Sequence, residues 1–166
     1  MPPAGSRPIL DFVMDRLEPL RRLLRQSSDP ENPSAEQISA LFERLTRIAV
    51  VGLSRDAAKA ARRVPSYLAA KGYEVVPVNP NADRIMGKKA AASLSDIQDA
   101  VDLVVIFRPS ADAAVLVREA SARPEHPAIW LQEGIRADEA AAEARAAGRL
   151  VVQDLCTYRV HRALFT

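Results

Sequence analysis

From Arg47 onward the sequence alternates short, uninterrupted apolar runs with alanine-rich amphipathic segments. No other feature limits the fold so strongly. The runs are Ile48–Val51, Glu74–Val78, Val101–Phe107, Ala128–Gln132 and Leu150–Gln153. Continuous apolar runs of this length suit strands buried on both faces, as in a parallel sheet. Between them lie Val64–Lys71, Ser95–Ala100, Ala111–Ala122 and Ala137–Ala147, all but Ser95–Ala100 long enough for a crossover helix. The last opens with Asp138 and Glu139 and is followed by Gly148, the punctuation of a helix start and stop. This alternation predicts an α/β class, a doubly wound five-stranded parallel sheet over residues 47–166.

Residues 1–46 follow a different pattern. Leu10, Val13, Met14, Leu17, Leu20 and Leu24 recur at three- and four-residue steps, which places them on one face of a helix over Ile9–Arg25. Ser27–Ser34 is dense in turn formers and reads as a connector. Ser34 followed by Glu36 and Gln37 gives a capping-box start to a second helix, with Ile38, Leu41, Phe42 and Leu45 facing inward. An N-terminal helical extension of this kind packs on the main domain as extra core or supplies the surface of a homodimer. A cover over a ligand site is the sharper alternative.

Length and composition then restrict the chemistry. At 166 residues the chain is one domain or slightly more, too short for a cofactor domain plus a full substrate domain. A net charge of +2 gives no reason to expect a nucleic-acid partner. No stretch approaches about 18 apolar residues, so no membrane span is expected. The first residues, Met1 to Arg7, lack the charged-then-apolar order of a secretory signal. Cys156 is the single cysteine, which excludes an internal disulfide and fits a reducing, cytoplasmic setting.

The most informative segment is the first strand-to-helix turn, Val50-Val51-Gly52-Leu53-Ser54-Arg55. In a doubly wound sheet this turn is where phosphates bind, because helix N-terminal amides point into the crevice at the strand ends. Gly52 lets the backbone approach a pyrophosphate, or merely makes a tight turn. Ser54 adds a hydroxyl. Arg55, Lys59, Arg62 and Arg63 crowd the start of the following helix, with Asp56 as the one acid among them. Cations there oppose the helix dipole, so they either form a solvated face or await an anion. The dinucleotide fingerprint G-x-G-x-x-G is incomplete: the corresponding positions are Gly52, Ser54 and Ala57. The second strand also ends without the acid that holds the ribose hydroxyls, in Val76-Pro77-Val78-Asn79-Pro80. Both departures speak against NAD. Lys59 and Arg63 suit an additional ribose phosphate, as in NADP or coenzyme A, and the lack of a second domain favours coenzyme A.

These residues carry a resemblance. Val50 to Ser54, Lys59, Arg63, Val64, Tyr67-Leu68, Gly72-Tyr73 and Pro77 to Pro80 resemble the small bacterial CoA-binding proteins. Asp102-Leu103, Phe107-Arg108, Trp130 to Ile135 and Asp154-Leu155-Cys156 with His161 continue it in register. Those proteins are single-domain relatives of the nucleotide-binding domain of succinyl-CoA synthetase α subunits. The resemblance covers about residues 47–164 and leaves out the helical extension. It implies a Rossmann-like five-stranded sheet that binds coenzyme A or acyl-CoA across its strand ends, with no reaction of its own. It also implies roles. Gly52 and Ser54 would cradle the pyrophosphate, and Lys59 and Arg63 would meet phosphate groups; Arg55 joins these cofactor-binding candidates by its charge in the loop alone. Asn79 and Pro80 would form a wall, Phe107 and Arg108 would lie beside the adenine or its ribose, and Gln132 and Gly134 would border the pantetheine arm. The chain departs from the usual pattern at Arg55, Ala57, Ala61 and Val105; at Ala61 a serine, and with it a phosphate donor, is lost.

Other residues yield no catalytic set. Cys156 and His161 invite a nucleophile-and-base reading, but no acid is placed to orient His161 and no oxyanion donor can be named. A structural thiol and a mixed disulfide between Cys156 and the thiol of coenzyme A are the other two readings. His126 lies in a loop, and two histidines so far apart argue against a metal site. Trp130, inside an apolar run, is expected in the core. The expected function is therefore a coenzyme A-binding carrier, sensor or regulatory protein rather than an enzyme. A nucleotide- or NADP-dependent enzyme, or a subunit of an acyl-CoA ligase, is the alternative.

Overall fold

A computed structural model describes the backbone over residues 9–166 and the side chains from residue 16 onward. The segment 1–7 and the side chains of Leu10, Val13 and Met14 lie outside the described residues. The chain opens with α1 (Ile9–Gln26), α2 (Ala35–Arg44), β1 (Arg47–Val51), α3 (Ala60–Ala70) and β2 (Glu74–Val78). A small hairpin, β3 (Arg84–Ile85) and β4 (Lys88–Lys89), and a 3₁₀ turn (Leu94–Asp96) come next. The remainder is β5 (Leu103–Ile106), α4 (Ser110–Ser121), β6 (Ala128–Leu131), α5 (Asp138–Ala146), β7 (Val151–Val152) and α6 (Thr157–Phe165).

The main sheet is five-stranded and wholly parallel, in the order β2-β1-β5-β6-β7. Side chains alternate across it. Ile48, Val50, Leu103, Val105 and Trp130 face α1, α2, α3 and α6, while Ala49, Val104, Ile106 and Ile129 face α4 and α5. All residues of β5 and β6 are buried, as two-sided coverage requires. Trp130 is fully buried and its indole N–H donates to the Leu155 carbonyl at 2.7 Å. Each fully buried leucine or isoleucine contributes roughly 1.5–3 kcal/mol.

The helical pair belongs to one of these layers. Leu17, Leu20, Ile38, Leu41 and Phe42 are buried in the same cluster as the sheet's Ile48 and Trp130. The described apolar face of the pair is thus covered within its own chain. Ser34 caps α2 as a reciprocal box: its hydroxyl accepts from Gln37 N–H at 3.2 Å, and its own N–H donates to Gln37 Oε1 at 2.9 Å.

Ser95–Ala100, too short for a crossover helix, forms only the 3₁₀ turn, and the Arg123 guanidinium takes the carbonyls of Leu94, Ile97 and Asp99. Two other segments go beyond the sequence expectation. The β3–β4 hairpin turns at Met86 and Gly87, both with positive φ, and screens the edge of β2, with Ala91 N–H on the Pro77 carbonyl. Helix α6, absent from the sequence reading, starts where Gln132 Oε1 accepts from both the N–H and the hydroxyl of Thr157 at 2.9 Å.

Candidate functional site

The chain leaves β1 toward β2 on one side and returns to β5 on the other. The strand order therefore reverses between β1 and β5, and the crevice beyond their carboxyl ends is the expected ligand position. A cavity of about 740 Å³ opens there. Gly52, Ser54, Lys59, Asn79, Pro80, Phe107 and Arg108 all line it.

The β1–α3 loop is built by local rules. Gly52 has φ +85°, and a Cβ there would lie 3.0 Å from the Phe107 carbonyl oxygen and 3.1 Å from Arg108 Cδ. Only glycine combines that conformation with that approach. Its N–H donates to the Val78 carbonyl at 3.0 Å, tying the tips of β1 and β2. Pro65, inside α3, has no N–H for the carbonyl four residues back. That carbonyl, of Ala61, accepts from Ser54 N–H at 3.0 Å instead, which folds the loop onto the helix. The Ser54 hydroxyl accepts from Asp56 N–H, and Asp56 Oδ1 from Ala58 N–H, each at 3.0 Å.

The start of α3 is electrically unfinished. Lys59 occupies the N-cap position without capping, and the first turn holds no acid. The N–H groups of Ala60 and Ala61 find no acceptor among the described residues. Free amides, the positive end of the dipole and a lysine together favour a negative charge at this position. Arg63 is one helical turn beyond Lys59, and Arg55 is exposed in the preceding loop; neither lines the cavity.

The opposite wall belongs to α4, which the sequence reading did not assign. Ala111, Asp112, Val115 and Leu116 line the cavity, and Val115 is 59% exposed. Spacing alone marks α4 only as amphipathic, and its place at the crevice comes from following β5. Arg108 pairs with Asp112 at 2.9 Å, half exposed. Asn79 is spent on the loops: its Nδ2 donates to the Leu53 carbonyl at 3.1 Å and its Oδ1 accepts from Asn81 N–H at 2.8 Å.

Gln132 and Gly134 do not join this cavity. Gln132 is buried, with its carbonyl oxygen given to Thr157. Gly134 N–H donates to Asp154 Oδ1 at 2.6 Å, and Asp154 Oδ2 accepts from Ser28 N–H at 2.8 Å, which fastens the α1–α2 connector to this loop. Beside it, Asp29 is buried and takes Arg145 at 3.0 Å and Gln153 Nε2 at 2.8 Å. Burial pushes the Asp29 carboxyl up, but Gln153, the Glu31 N–H and Arg145 outweigh it and hold the group below the usual carboxylate range. Asp154 is lowered in the same way, the N–H groups of Gly134 and Ser28 overcoming burial.

The sequence matches the family described as CoA binding domain over residues 46–162. The chain belongs to the CoA-binding domain family. It is 37% identical over 131 residues to the uncharacterized protein YneT of Bacillus subtilis, covering 79% of this chain and 96% of YneT. It is 32% identical over 89 residues to an ADP-forming acetate–CoA ligase of Archaeoglobus fulgidus, covering 52% of this chain and 13% of the ligase. Among solved structures it resembles a Thermus thermophilus protein at TM-score 0.75 and 35% identity, over 80% of this chain and 100% of that one. The five-stranded parallel sheet is the Rossmann-like architecture expected of that family.

Among the described residues no hydrogen bond joins Cys156 to His161. Cys156 stands at the N-cap of α6, whereas His161 Nδ1 shares a 2.8 Å hydrogen bond with the Tyr67 hydroxyl. Among the described residues no helix is long and apolar enough to cross a membrane, and no metal-binding cluster of three or more His, Cys, Asp or Glu occurs.

Proposed function

We propose that this protein binds coenzyme A or acyl-CoA in the cleft at the carboxyl ends of β1, β2 and β5, and that it serves as a carrier, sensor or regulatory partner without a reaction of its own. The observation that carries the reading is the uncapped, acid-free start of α3 opening into a cavity of about 740 Å³. The residues fit the ligand's parts. The amides of Ala60 and Ala61 and the Lys59 ammonium suit the pyrophosphate. Arg63 and Arg55 extend the positive field to a ribose phosphate. Val115 and Leu116, with Phe107 opposite, offer an apolar slot for adenine. Asp112 and Glu119 also line the cavity, so Arg108 must leave Asp112 to reach an anion. Gln132 and Gly134 stand apart from the cavity, which moves the pantetheine arm toward Ser93 and Leu94. By this reading the protein works in the cytoplasm on a small-molecule ligand, with residues 1–46 as a helical addition to a CoA-binding unit over 47–166. Any homodimer would use the outer side of the helical pair.

The test is a thermal-shift and calorimetry panel of CoA, acetyl-CoA, NAD, NADP and ATP. A ligand at about 100 times its dissociation constant adds about 2.7 kcal/mol of stability. Stabilisation by CoA and acetyl-CoA above the others is the expected result. A stronger response to NADP, or none to CoA, would overturn the proposal.

A further inference from the structure

Two large apolar side chains remain exposed among the described residues, Val115 at 59% and Phe165 at 48%. Val115 borders the cleft described above. Phe165 borders a different cavity of about 600 Å³, lined also by Phe42, Tyr67, Lys71, Tyr73 and His161. Phe42 lies near the end of α2 just ahead of β1, and Tyr73 immediately precedes β2. This second cavity is therefore at the amino ends of the strands, across the sheet from the first.

Its floor is an imidazole inside an aromatic ring set. His161 is 6% exposed, with the rings of Phe165, Tyr67, Tyr73 and Phe42 at 4.7, 5.3, 5.7 and 6.1 Å. Burial, and then the nearby Lys71 charge, push the imidazole below its ordinary value of 6.5, so it is neutral at neutral pH. Nδ1 is engaged by Tyr67; Nε2 has no partner among the described residues. No fully enclosed side-chain nitrogen or oxygen lacks a partner among those residues, so Nε2 opens onto the cavity that His161 lines. In the tautomer in which Tyr67 donates to Nδ1, Nε2 carries the ring's hydrogen and is a donor; this is the tautomer that an anion in the cavity would select.

The rim is cationic. Lys71 Nζ lies 5.4 Å from the Tyr67 ring centre, and the Arg162 guanidinium lies 5.8 Å from that of Tyr158. Neither makes an ion pair among the described residues, although Arg162 Nη1 donates to the Tyr158 hydroxyl at 3.0 Å, and Glu43, which also lines the cavity, faces Arg16 at 3.8 Å. Apolar rings, a buried imidazole and two cations without a carboxylate partner together complement one kind of molecule, a flat apolar body with a single negative end.

We propose that this cavity is a second ligand site, selective for a small aromatic carboxylate. The ring of the ligand packs against Phe165, Tyr73 and Phe42. Its carboxylate takes Lys71 and Arg162, and the Nε2–H of His161 fixes its orientation. The site is independent of the coenzyme A reading, sharing no residue with that cleft.

The experiment is an NMR titration of the full chain with benzoate, benzyl alcohol and cyclohexanecarboxylate, following the His161 imidazole, with the Trp130 indole as a check on the fold. Benzoate should shift the His161 signals saturably. Benzyl alcohol, without the charge, should bind about tenfold or more weakly, and cyclohexanecarboxylate should fall between them. Lys71→Ala and Phe165→Ala, both at exposed positions, should each weaken benzoate several-fold while leaving the Trp130 signal in place. The proposal is overturned by any of three results: no saturable shift at His161, an equal response to benzyl alcohol, or unchanged benzoate affinity in Lys71→Ala. It is equally overturned if the shifts centre on Gly52–Lys59, since that would place benzoate in the other cleft.

Discussion

The two edges of the sheet treat charge in opposite ways. At the β7 edge, Arg136, Arg145 and Arg159 each meet a carboxylate, and the α1–α2 connector is pinned there through Asp29 and Ser28. Toward the β2 edge Arg47 pairs with Glu74 at 3.1 Å, whereas Arg55, Lys59, Arg63 and Lys89 make no ion pair among the described residues. Paired charges lock segments that are distant in sequence. Unpaired ones beside free helix amides leave a surface that gains energy only when an anion arrives. One edge holds the fold, and the other is where the proposed ligand would bind.

The largest effect should come from breaking the paired edge. Asp29→Ala leaves Arg145 and Gln153 without their buried carboxylate and should cost about 3 kcal/mol in chemical denaturation. Coenzyme A affinity should stay nearly constant. The pH dependence sharpens the same contrast. Asp29 has a depressed folded value, so its contribution is complete above the ordinary 3.8 and is lost as pH falls through the lower folded value. Stability of Asp29→Asn should consequently fall less steeply than wild type below about pH 4.

Gly52→Ala comes next, because it forces a side chain into φ +85° and against the Phe107 carbonyl. It should destabilise by about 1–3 kcal/mol and also weaken coenzyme A in calorimetry, since it displaces the turn proposed to hold the phosphates. Lys59→Ala with Arg63→Ala should do the reverse of Asp29→Ala. Melting should change by no more than about 0.5 kcal/mol, while coenzyme A affinity falls about tenfold or more. A greater loss for coenzyme A than for dephospho-CoA would assign these side chains to the ribose phosphate, and an equal loss to the pyrophosphate. The smallest effect is reserved for Pro65→Ala, which restores an N–H that competes with Ser54 for the Ala61 carbonyl. Faster amide exchange at Ser54, with little change in stability, is the outcome to measure.

Much of this architecture could be read from the chain, because its signals are local. Apolar runs of four or five residues mark β1, β5 and β6, and Ser34 with Gln37 marks the start of α2. Gly52, Ser54 and Lys59 stood out because a strand, a glycine and a cationic helix start are consecutive in sequence. Helix α6 was missed for the opposite reason: what caps it is Gln132, 25 residues earlier. The hairpin over β2 was hidden by strands of two residues, too short for any period.

The sequence alone therefore determined the α/β alternation, the glycine turn after the first strand and the family to which the chain belongs. Each depends on neighbours along the chain, whose geometry the backbone and side-chain types dictate. Tertiary structure decided which charges are spent and which are free. It put α4 across from the turn, gave Gln132 to Thr157 rather than to the cleft, and enclosed His161 among four rings. Pairing and enclosure are relations between segments that only the folded sheet brings within a few ångströms of each other.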